Sequence, residues 1–175
     1  LHHEALKISE TLGSPSAVAM SLLDLGAAHL MAGDPKQALE VLSPAGIAGK
    51  YYFVEGAITK PLTNSGPVTG KLVYMQPRIG CGPPANAAAL AGNIALIDRG
   101  TCFFSEKIMY AQAAGAVAVV MVNNLETVPI VMGGDPEGIT IPGGMISKDD
   151  GALLKARLGQ TVTVSLDAKT TVERP

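Results

Sequence analysis

The chain has 175 residues, of which 47% are hydrophobic, 16% charged and 4% aromatic, with a formal net charge of −2 at pH 7. This length and apolar content predict one folded domain with room for an appendage, and they exclude a disordered chain. The lack of surplus positive charge and of tryptophan argues against nucleic-acid binding. Apolar runs are shorter than the roughly 18–20 residues of a membrane helix, so we expect no membrane insertion.

Residues 1–48 are predicted to form helices. Apolar side chains recur at helical spacing before a Gly-Ser-Pro break at 13–15, again from Leu22 to Met31, and over a short helix from Lys36 to Leu42. Several positions match the tetratricopeptide repeat, which this segment resembles: Leu22, Leu25, Gly26, His29, Gly33, Asp34, Ala38, Leu42 and Ala45. One and a half repeats cannot bury their own faces, so a helical hairpin that acts only as a connector stays an open alternative.

Histidine is confined to the first thirty residues, at positions 2, 3 and 29. Elsewhere in the chain neither a Ser-His-Asp or Cys-His nucleophile nor a histidine-based zinc site can be assembled. Turns and a helix start account for Asp135 and for the pair Asp149-Asp150, and we expect Asp98 and Glu106 to be ordinary surface charges. Any catalysis there would have to depend on carboxylates, lysine or a thiol. None of these residues is singled out, so we predict no catalytic residue, no metal and no cofactor.

From Tyr51 onward, short strands alternate with helices. Strands are predicted at 51–58, 68–74, 94–97, 117–122, 139–146 and 161–166, helices at 105–114 and 147–159, and an irregular loop at 77–85. The β-branched run at 117–122 is typical of a strand buried on both faces, and with the strand and helix before it predicts a βαβ unit. Ser147 and Asp150 predict a capped helix start. The polar tail after Lys169 is expected to be loose.

Cys81 and Cys102 are the two cysteines of the chain, and they flank the strand predicted at 94–97. Loops at the ends of neighbouring strands lie within bridging distance, so we favour a disulfide, which would stabilise the fold by about 3 kcal/mol and indicate an oxidising compartment. Two unrelated thiols in a reducing compartment are the alternative. A catalytic thiol is not expected, because no histidine is available to activate one.

The order of motifs in the second part of the chain resembles the protease-associated (PA) domain of secreted, bacterial-type proteins. The matching segments are Gly92 to Phe104, Lys107, Ala111 to Ala116, Val119 to Asn124, Met132 to Asp135, Ile139 to Pro142 and Ile146 to Gly151. The resemblance covers about residues 66–166, and Cys81 and Cys102 match the paired cysteines of secreted members. It departs from the family's pattern at Gly143-Gly144, where a small and a hydrophobic residue are more usual, and at Phe104, an additional ring.

The resemblance implies an α/β fold of the β/β/α (swivelling) type, with a mixed sheet and βαβ units, over residues 51–168. The helical segment would occupy residues 1–48 and the loose tail residues 169–175. Such domains occur in subtilisin-like and zinc-dependent peptidases, plant vacuolar sorting receptors and membrane-bound ubiquitin ligases. They bind protein or peptide partners or restrict access to an active site, without catalysing a reaction themselves.

In the sorting receptors the loop after an Arg-Gly turn contacts cargo peptide. The resemblance therefore implies binding by Arg99, Gly100, Thr101 and Phe103, where Arg99 supplies N–H donors and Phe103 an apolar contact. A purely structural Arg99 that bonds carbonyls of the 77–84 loop is the alternative. Asn123 and Asn124 begin a second candidate rim, which reaches Gly138 from the end of a buried strand.

Three hypotheses for function follow. The leading one is an extracytoplasmic, non-catalytic domain that binds protein or peptide and recruits or gates substrate for an associated secreted or membrane protein. The first alternative is an accessory domain of a secreted peptidase, subtilisin-like or zinc-dependent, whose catalytic domain lies outside this chain. The second is an intracellular scaffold in which the tetratricopeptide-like helices bind the partner.

Overall fold

Eight strands and four short helices follow one another in the computed structural model, which describes residues 36–172. The strands are β1 (Lys36–Ser43), β2 (Gly49–Tyr52), β3 (Val54–Glu55), β4 (Val68–Tyr74), β5 (Ile94–Asp98), β6 (Ala118–Val122), β7 (Gly143–Ile146) and β8 (Thr163–Val172). The helices are α1 (Leu62–Ser65), α2 (Ala87–Leu90), α3 (Phe104–Ala113) and α4 (Lys148–Lys155). A single 3-10 turn spans Ala45–Ile47.

The strands form one mixed sheet in the order β2-β1-β8-β4-β5-β6-β7-β3. Its centre, from β4 to β7, is parallel, while β1, β2, β3 and β8 pair antiparallel with their neighbours. The unit β5-α3-β6 is the predicted parallel connection through a helix. The sequence prediction of a mixed α/β fold is confirmed for this part of the chain.

The core lies on both faces of the parallel strands. The continuous apolar runs of β5 and β6 supply side chains to both faces, as expected for strands buried on two sides. On one face Ile108 and Ala111 of α3 join the cluster around Ile97 and Met121. On the other face Leu154 of α4 and apolar residues of β1 and β8 pack over Leu96, Val120 and Val122.

Most of the predicted elements lie where the sequence placed them. The strand at 68–74 is confirmed with the same bounds, and β5, α3 and β6 match within a residue or two. Ser147 caps α4, since its Oγ accepts a hydrogen bond from the Asp150 backbone N–H at 3.0 Å. The strand predicted at 139–146 is shorter, because β7 begins only after Pro142, which has no N–H to donate to a ladder.

The helix predicted over 36–42 is wrong, since this segment is strand β1. Leu39 and Val41 alternate into the core, whereas Leu42, expected to point inward, is 47% exposed. The apolar positions fit a helical and a strand period alike, and pairing with β2 and β8 decides between them. The rest of the predicted tetratricopeptide-like hairpin, residues 1–35, lies outside the described residues.

The loose tail predicted from residue 169 is also wrong for its first part. Strand β8 continues to Val172, where it pairs with β1 through Gln37 with Thr171 and Lys36 with Val172. Polar side chains give no burial signal, but the backbone N–H and C=O groups of this segment are paired by β1. Residues 173–175 lie outside the described part of the chain.

Candidate binding site

Three loops leave the sheet at the same edge, because β4, β5 and β6 are parallel. They are the loop at 75–86 after β4, the loop at 99–103 after β5, and the loop at 123–142 after β6. The Asp98 N–H donates to the Arg78 carbonyl at 2.9 Å, and the Arg99 N–H donates to the Val122 carbonyl at 2.9 Å. Ligands of open α/β sheets bind outside the carboxyl ends of the strands, and this edge is that position.

A disulfide joins two of these loops, between Cys81 and Cys102, whose Cα atoms are 5.8 Å apart. The predicted pairing is confirmed, and the alternative of two unrelated thiols is not what the structure has. The bond ties the loop at 75–86 to the loop at 99–103. It therefore restricts the segment that carries most of the predicted binding residues.

The Arg99–Phe103 loop contains a sharp turn. Gly100 has φ +135° and Thr101 has φ +64°, and the Cys102 N–H donates to the Gly100 carbonyl at 2.9 Å. A left-handed conformation at a β-branched residue costs on the order of 1–3 kcal/mol and persists only where the surroundings impose it. The disulfide at the next residue is such a constraint. Thr101 and Phe103 are both exposed at the outside of this turn.

Asn123 lies beneath the loops rather than on a rim, with only 1% of its surface exposed. Its Oδ1 accepts a hydrogen bond from Arg99 Nη1 at 2.8 Å. Its Nδ2 donates to the carbonyls of Thr127 at 3.2 Å and Val128 at 3.3 Å. The side chain of Asn123 thus positions Arg99 and the start of the next loop, while its neighbour Asn124 is exposed.

Phe103 is 80% exposed at the amino end of α3, although it is one of the three phenylalanines of the chain. Its N–H donates to Glu106 Oε2 at 3.1 Å, so its backbone is fixed while its ring is free. The loop at 123–142 adds further exposed aliphatic side chains that the sequence did not single out: Leu125, Val128, Ile130 and Val131. They do not form one patch with Phe103, because Val131 lies beside Glu55, Gly56 and Pro61, near the start of β7 and so at the other end of the parallel strands.

The loop at 123–142 is attached at both ends. Gln112 of α3 donates from Nε2 to the Gly138 carbonyl at 2.8 Å and accepts from the Thr140 N–H at 2.8 Å. Near the other end, Glu126 forms an exposed ion pair with Lys148 at the start of α4. These contacts hold a loop of twenty residues that contains no helix or strand of its own.

Lys107 is a buried residue next to the candidate site, and the sequence analysis assigned it no role. Its side chain is 0% exposed, and its ammonium donates to the Ile79 carbonyl and lies 3.7 Å from Cys81 Sγ. Burial lowers the pKa of Lys107, while the carboxylates of Asp98 and Glu106 act in the opposite direction. The predicted alternative for Arg99, bonding the 77–84 loop, is thus a role that Lys107 performs, whereas Arg99 bonds Asn123.

Asp98, expected to be an ordinary surface charge, holds the end of β5 in place. Its Oδ2 accepts a hydrogen bond from the Tyr74 hydroxyl at 2.5 Å, and its Oδ1 lies 2.5 Å from Lys155 Nζ. The Lys155 ammonium also lies 5.2 Å from the centroid of the Tyr74 ring. This cluster joins β4, β5 and α4 directly before Arg99. Burial first, and then the bond to Asp98, raise the pKa of Tyr74 above its usual value.

The raised pKa of Tyr74 predicts a loss of stability at alkaline pH. Below about pH 10 the phenol is protonated in the folded and the unfolded chain, so its contribution to stability is fully present there. Above that pH the unfolded chain releases the proton first, and stability falls as pH rises towards the folded pKa. We expect a shallower fall in Tyr74→Phe, measured as urea midpoints between about pH 8 and pH 11.

Tyr51 provides the comparison for this experiment. The pKa of Tyr51 is also raised, first by burial and then by the charge of Asp150. Tyr51→Phe therefore removes another tyrosine with a raised pKa and leaves the hydrogen bond to Asp98 in place. A Tyr74→Phe protein whose midpoints fall as steeply as those of the unmodified chain would contradict the assignment.

Fold and site together define an α/β domain that presents disulfide-tied loops at one sheet edge. Within residues 36–172 no three His, Cys, Asp or Glu side chains are grouped to hold a metal ion, and none of the helices there is long and apolar enough to cross a bilayer. Residues 68–154 match the sequence model of the family described as the PA domain, and this part of the chain is a PA domain.

The chain is similar to parts of larger proteins. Vacuolar-sorting receptor 1 of Pisum sativum is 34% identical over 158 residues, which are 80% of this chain and 25% of the receptor. Signal peptide peptidase-like 2 of Arabidopsis thaliana is 37% identical over 97 residues, 54% of this chain and 18% of that protein. The solved aminopeptidase from Aneurinibacillus sp. strain AM-1 has a TM-score of 0.59 at 27% identity, covering 80% of this chain and 32% of the enzyme. The chain thus spans a third or less of each.

Proposed function

We propose that this PA domain binds a protein or peptide partner through the Arg99–Phe103 loop and acts as a non-catalytic accessory domain. The exposure of Phe103 carries the proposal, since 80% of its surface faces solvent on a loop held by a disulfide. A large apolar ring on a loop that is already ordered gains burial on binding and loses little conformational freedom.

The other residues of the loop supply polar contacts and shape. Arg99 donates from Nη1 to Asn123, and a guanidinium has five N–H donors in a planar fork, so it can still donate to a partner's carboxylate or carbonyl. Gly100 and Thr101 form the turn between Arg99 and Phe103. Asn124 offers an exposed amide, and Asn123 acts through the orientation of Arg99.

We place the domain in the secretory pathway or outside the cytoplasm. A disulfide persists in oxidising compartments, and the similarity to a vacuolar-sorting receptor supports the same location. The intracellular scaffold loses support, because a reducing compartment keeps cysteines as free thiols, whereas Cys81 and Cys102 form a disulfide.

A second candidate is an accessory domain of a peptidase. The likeness to the Aneurinibacillus aminopeptidase, of which this chain covers 32%, favours it. The full-length coding sequence separates the two proposals. A catalytic domain joined to this chain supports the peptidase, and a membrane or cargo-receptor region supports the receptor.

Peptide selection tests the site. The full chain is used to select ligands from a phage-displayed random peptide library, and the selected sequences are synthesised and measured by calorimetry. We expect Arg99→Ala and Phe103→Ala each to weaken binding about tenfold or more, since each removes a direct contact.

The matched controls are Arg157→Ala and Leu153→Ala, an exposed arginine and an exposed leucine outside the three loops. Both controls should bind like the unmodified chain. If Arg99→Ala and Phe103→Ala bind every selected ligand with unchanged affinity, the proposed site is wrong.

A further inference from the structure

We propose that the Cys81–Cys102 disulfide is a reducible latch on the Arg99–Phe103 loop, and that Lys107 makes it reducible by stabilising the Cys81 thiolate formed on reduction. The juxtaposition of the Lys107 ammonium and the Cys81 sulfur at 3.7 Å supports this assignment. It concerns the chemistry of the bond and holds whichever partner the loop binds.

The ammonium is fixed beside the sulfur. Lys107 projects from the buried side of α3, and its side chain is fully shielded from solvent. Its ammonium donates a hydrogen bond to the carbonyl of Ile79, which precedes Cys81 by two residues. Interactions between charges are stronger in such surroundings than at a solvated surface. Burial disfavours the charged form of Lys107, and a thiolate at this distance would offset that penalty by supplying an opposite charge.

The two sulfurs are therefore not equivalent. Cys81 faces the Lys107 ammonium from the loop after β4. Cys102 belongs to the Arg99–Phe103 loop, where it lies between the exposed residues Thr101 and Phe103. In thiol–disulfide exchange the sulfur whose thiolate is better stabilised leaves faster, so Cys81 is the leaving group and Cys102 the sulfur that is attacked.

The reaction balances with a dithiol as reductant. One dithiol thiolate attacks Cys102 Sγ, a new S–S bond forms, the Cys81–Cys102 bond breaks, and the electron pair stays on Cys81 as a thiolate beside Lys107. The second thiol of the reductant, after losing its proton to solvent, attacks the mixed disulfide and releases Cys102, which takes a proton from solvent. The protein disulfide gains two electrons, and the dithiol is oxidised to a disulfide.

Reduction would change the loop and leave the sheet intact. Arg99 keeps its bond to Asn123, but residues 100–103 lose their covalent tie to the loop at 75–86. The left-handed conformation of Thr101, at φ +64°, then loses the adjacent constraint. The order of the binding loop would thus depend on the redox state of one bond.

Redox titration of the full chain tests the latch. The protein is equilibrated with mixtures of reduced and oxidised dithiothreitol, free thiols are alkylated, and the reduced fraction is read by intact mass. At pH 8.5 we expect the equilibrium constant for reduction to be about fivefold larger in the unmodified chain than in Lys107→Met, which is the effect at that pH of lowering the Cys81 pKa by one unit from about 8.5. Lys60→Met, which removes an exposed lysine, should match the unmodified chain. If the disulfide of Lys107→Met is reduced as readily as that of the unmodified chain, the proposal is overturned.

A second measurement uses the unmodified chain alone. The reduced protein is alkylated with iodoacetamide across a range of pH, and peptide mapping gives the rate at each cysteine. Lys107 faces Cys81, and Asp98 and Glu106 act on that lysine. We expect the pKa of Cys81 to lie below that of Cys102 and below the ordinary value of about 8.5. Equal values, a lower value at Cys102, or the ordinary values of an unfolded reduced chain overturn the proposal.

Discussion

Replacing Gly144 by alanine is expected to lower the free energy of unfolding by about 3 kcal/mol, the upper part of the range for overpacking a core. A Cβ at this position would lie 2.3 Å from the Val54 carbonyl oxygen and 2.4 Å from Cζ of the buried Phe53 ring. Relief requires strand β3 to move, and β3 is held to β7 by the pairs Val54 with Met145 and Glu55 with Gly144. The added methyl group therefore breaks the pairing at this end of the sheet.

Urea unfolding of the full chain measures this effect, with Gly159→Ala as the matched control. A Cβ at Gly159 would meet no atom within 4 Å, and its backbone is not left-handed. The same substitution there is expected to leave stability unchanged or to raise it by about 0.5 kcal/mol, through the unfolded chain. If Gly144→Ala is as stable as the unmodified chain, β3 moves away without a measurable loss of stability and the prediction is wrong.

Close contacts on both sides of β7 explain why glycine occupies both positions of the Gly143-Gly144 pair. At Gly143 a Cβ would lie 2.3 Å from Val119 Cγ2 and 2.7 Å from the Val119 carbonyl oxygen, on the β6 side of the strand. At Gly144 the obstruction comes from β3. Sequence patterning cannot show this constraint, because a close approach of backbones on both sides of a strand depends on residues distant in the chain.

The parallel centre of the sheet could be predicted because its signals are local. The apolar runs of β5 and β6 are continuous, the helix between them has its own period, and Ser147 with Asp150 specifies the start of α4. Strands β1 and the end of β8 could not be predicted, because neither has an unambiguous pattern of its own. Each is a strand because the other is its partner.

The features of the candidate site also divide into those that the sequence predicts and those that it does not. The cysteine pairing and the exposed Phe103 loop were accessible from sequence, since both depend on the order of motifs around β5. The roles of Asn123 and Lys107 were not, because polar residues at a strand end and in a helix ordinarily face solvent. Both are buried by loops that fold over them from elsewhere in the chain, and that burial turns them into positioning residues.

Removing the disulfide is expected to have the second large effect on stability. The double substitution Cys81→Ser with Cys102→Ser is expected to lower the free energy of unfolding by about 3 kcal/mol, because the cross-link closes a loop with a sequence separation of 21 and so restricts the unfolded chain. Urea unfolding checks the value. A domain of this size retains several kcal/mol of stability, so the variant should still fold.

Hydrogen exchange separates the two ways in which the bond can act. If it acts through the unfolded chain, amides of β5 and β6 that open only by global unfolding should exchange faster by the full loss of stability. Amides of residues 100–103 should gain an additional, local increase, because the tie beside Thr101 is gone. Unchanged exchange in the strands would contradict the first effect, and unchanged exchange in the loop the second. A loss confined to the loop would mean that the bond orders the partner-binding segment rather than the fold. Ligand affinity of the double variant would then fall, because the ordering cost that the disulfide removes returns at the binding step.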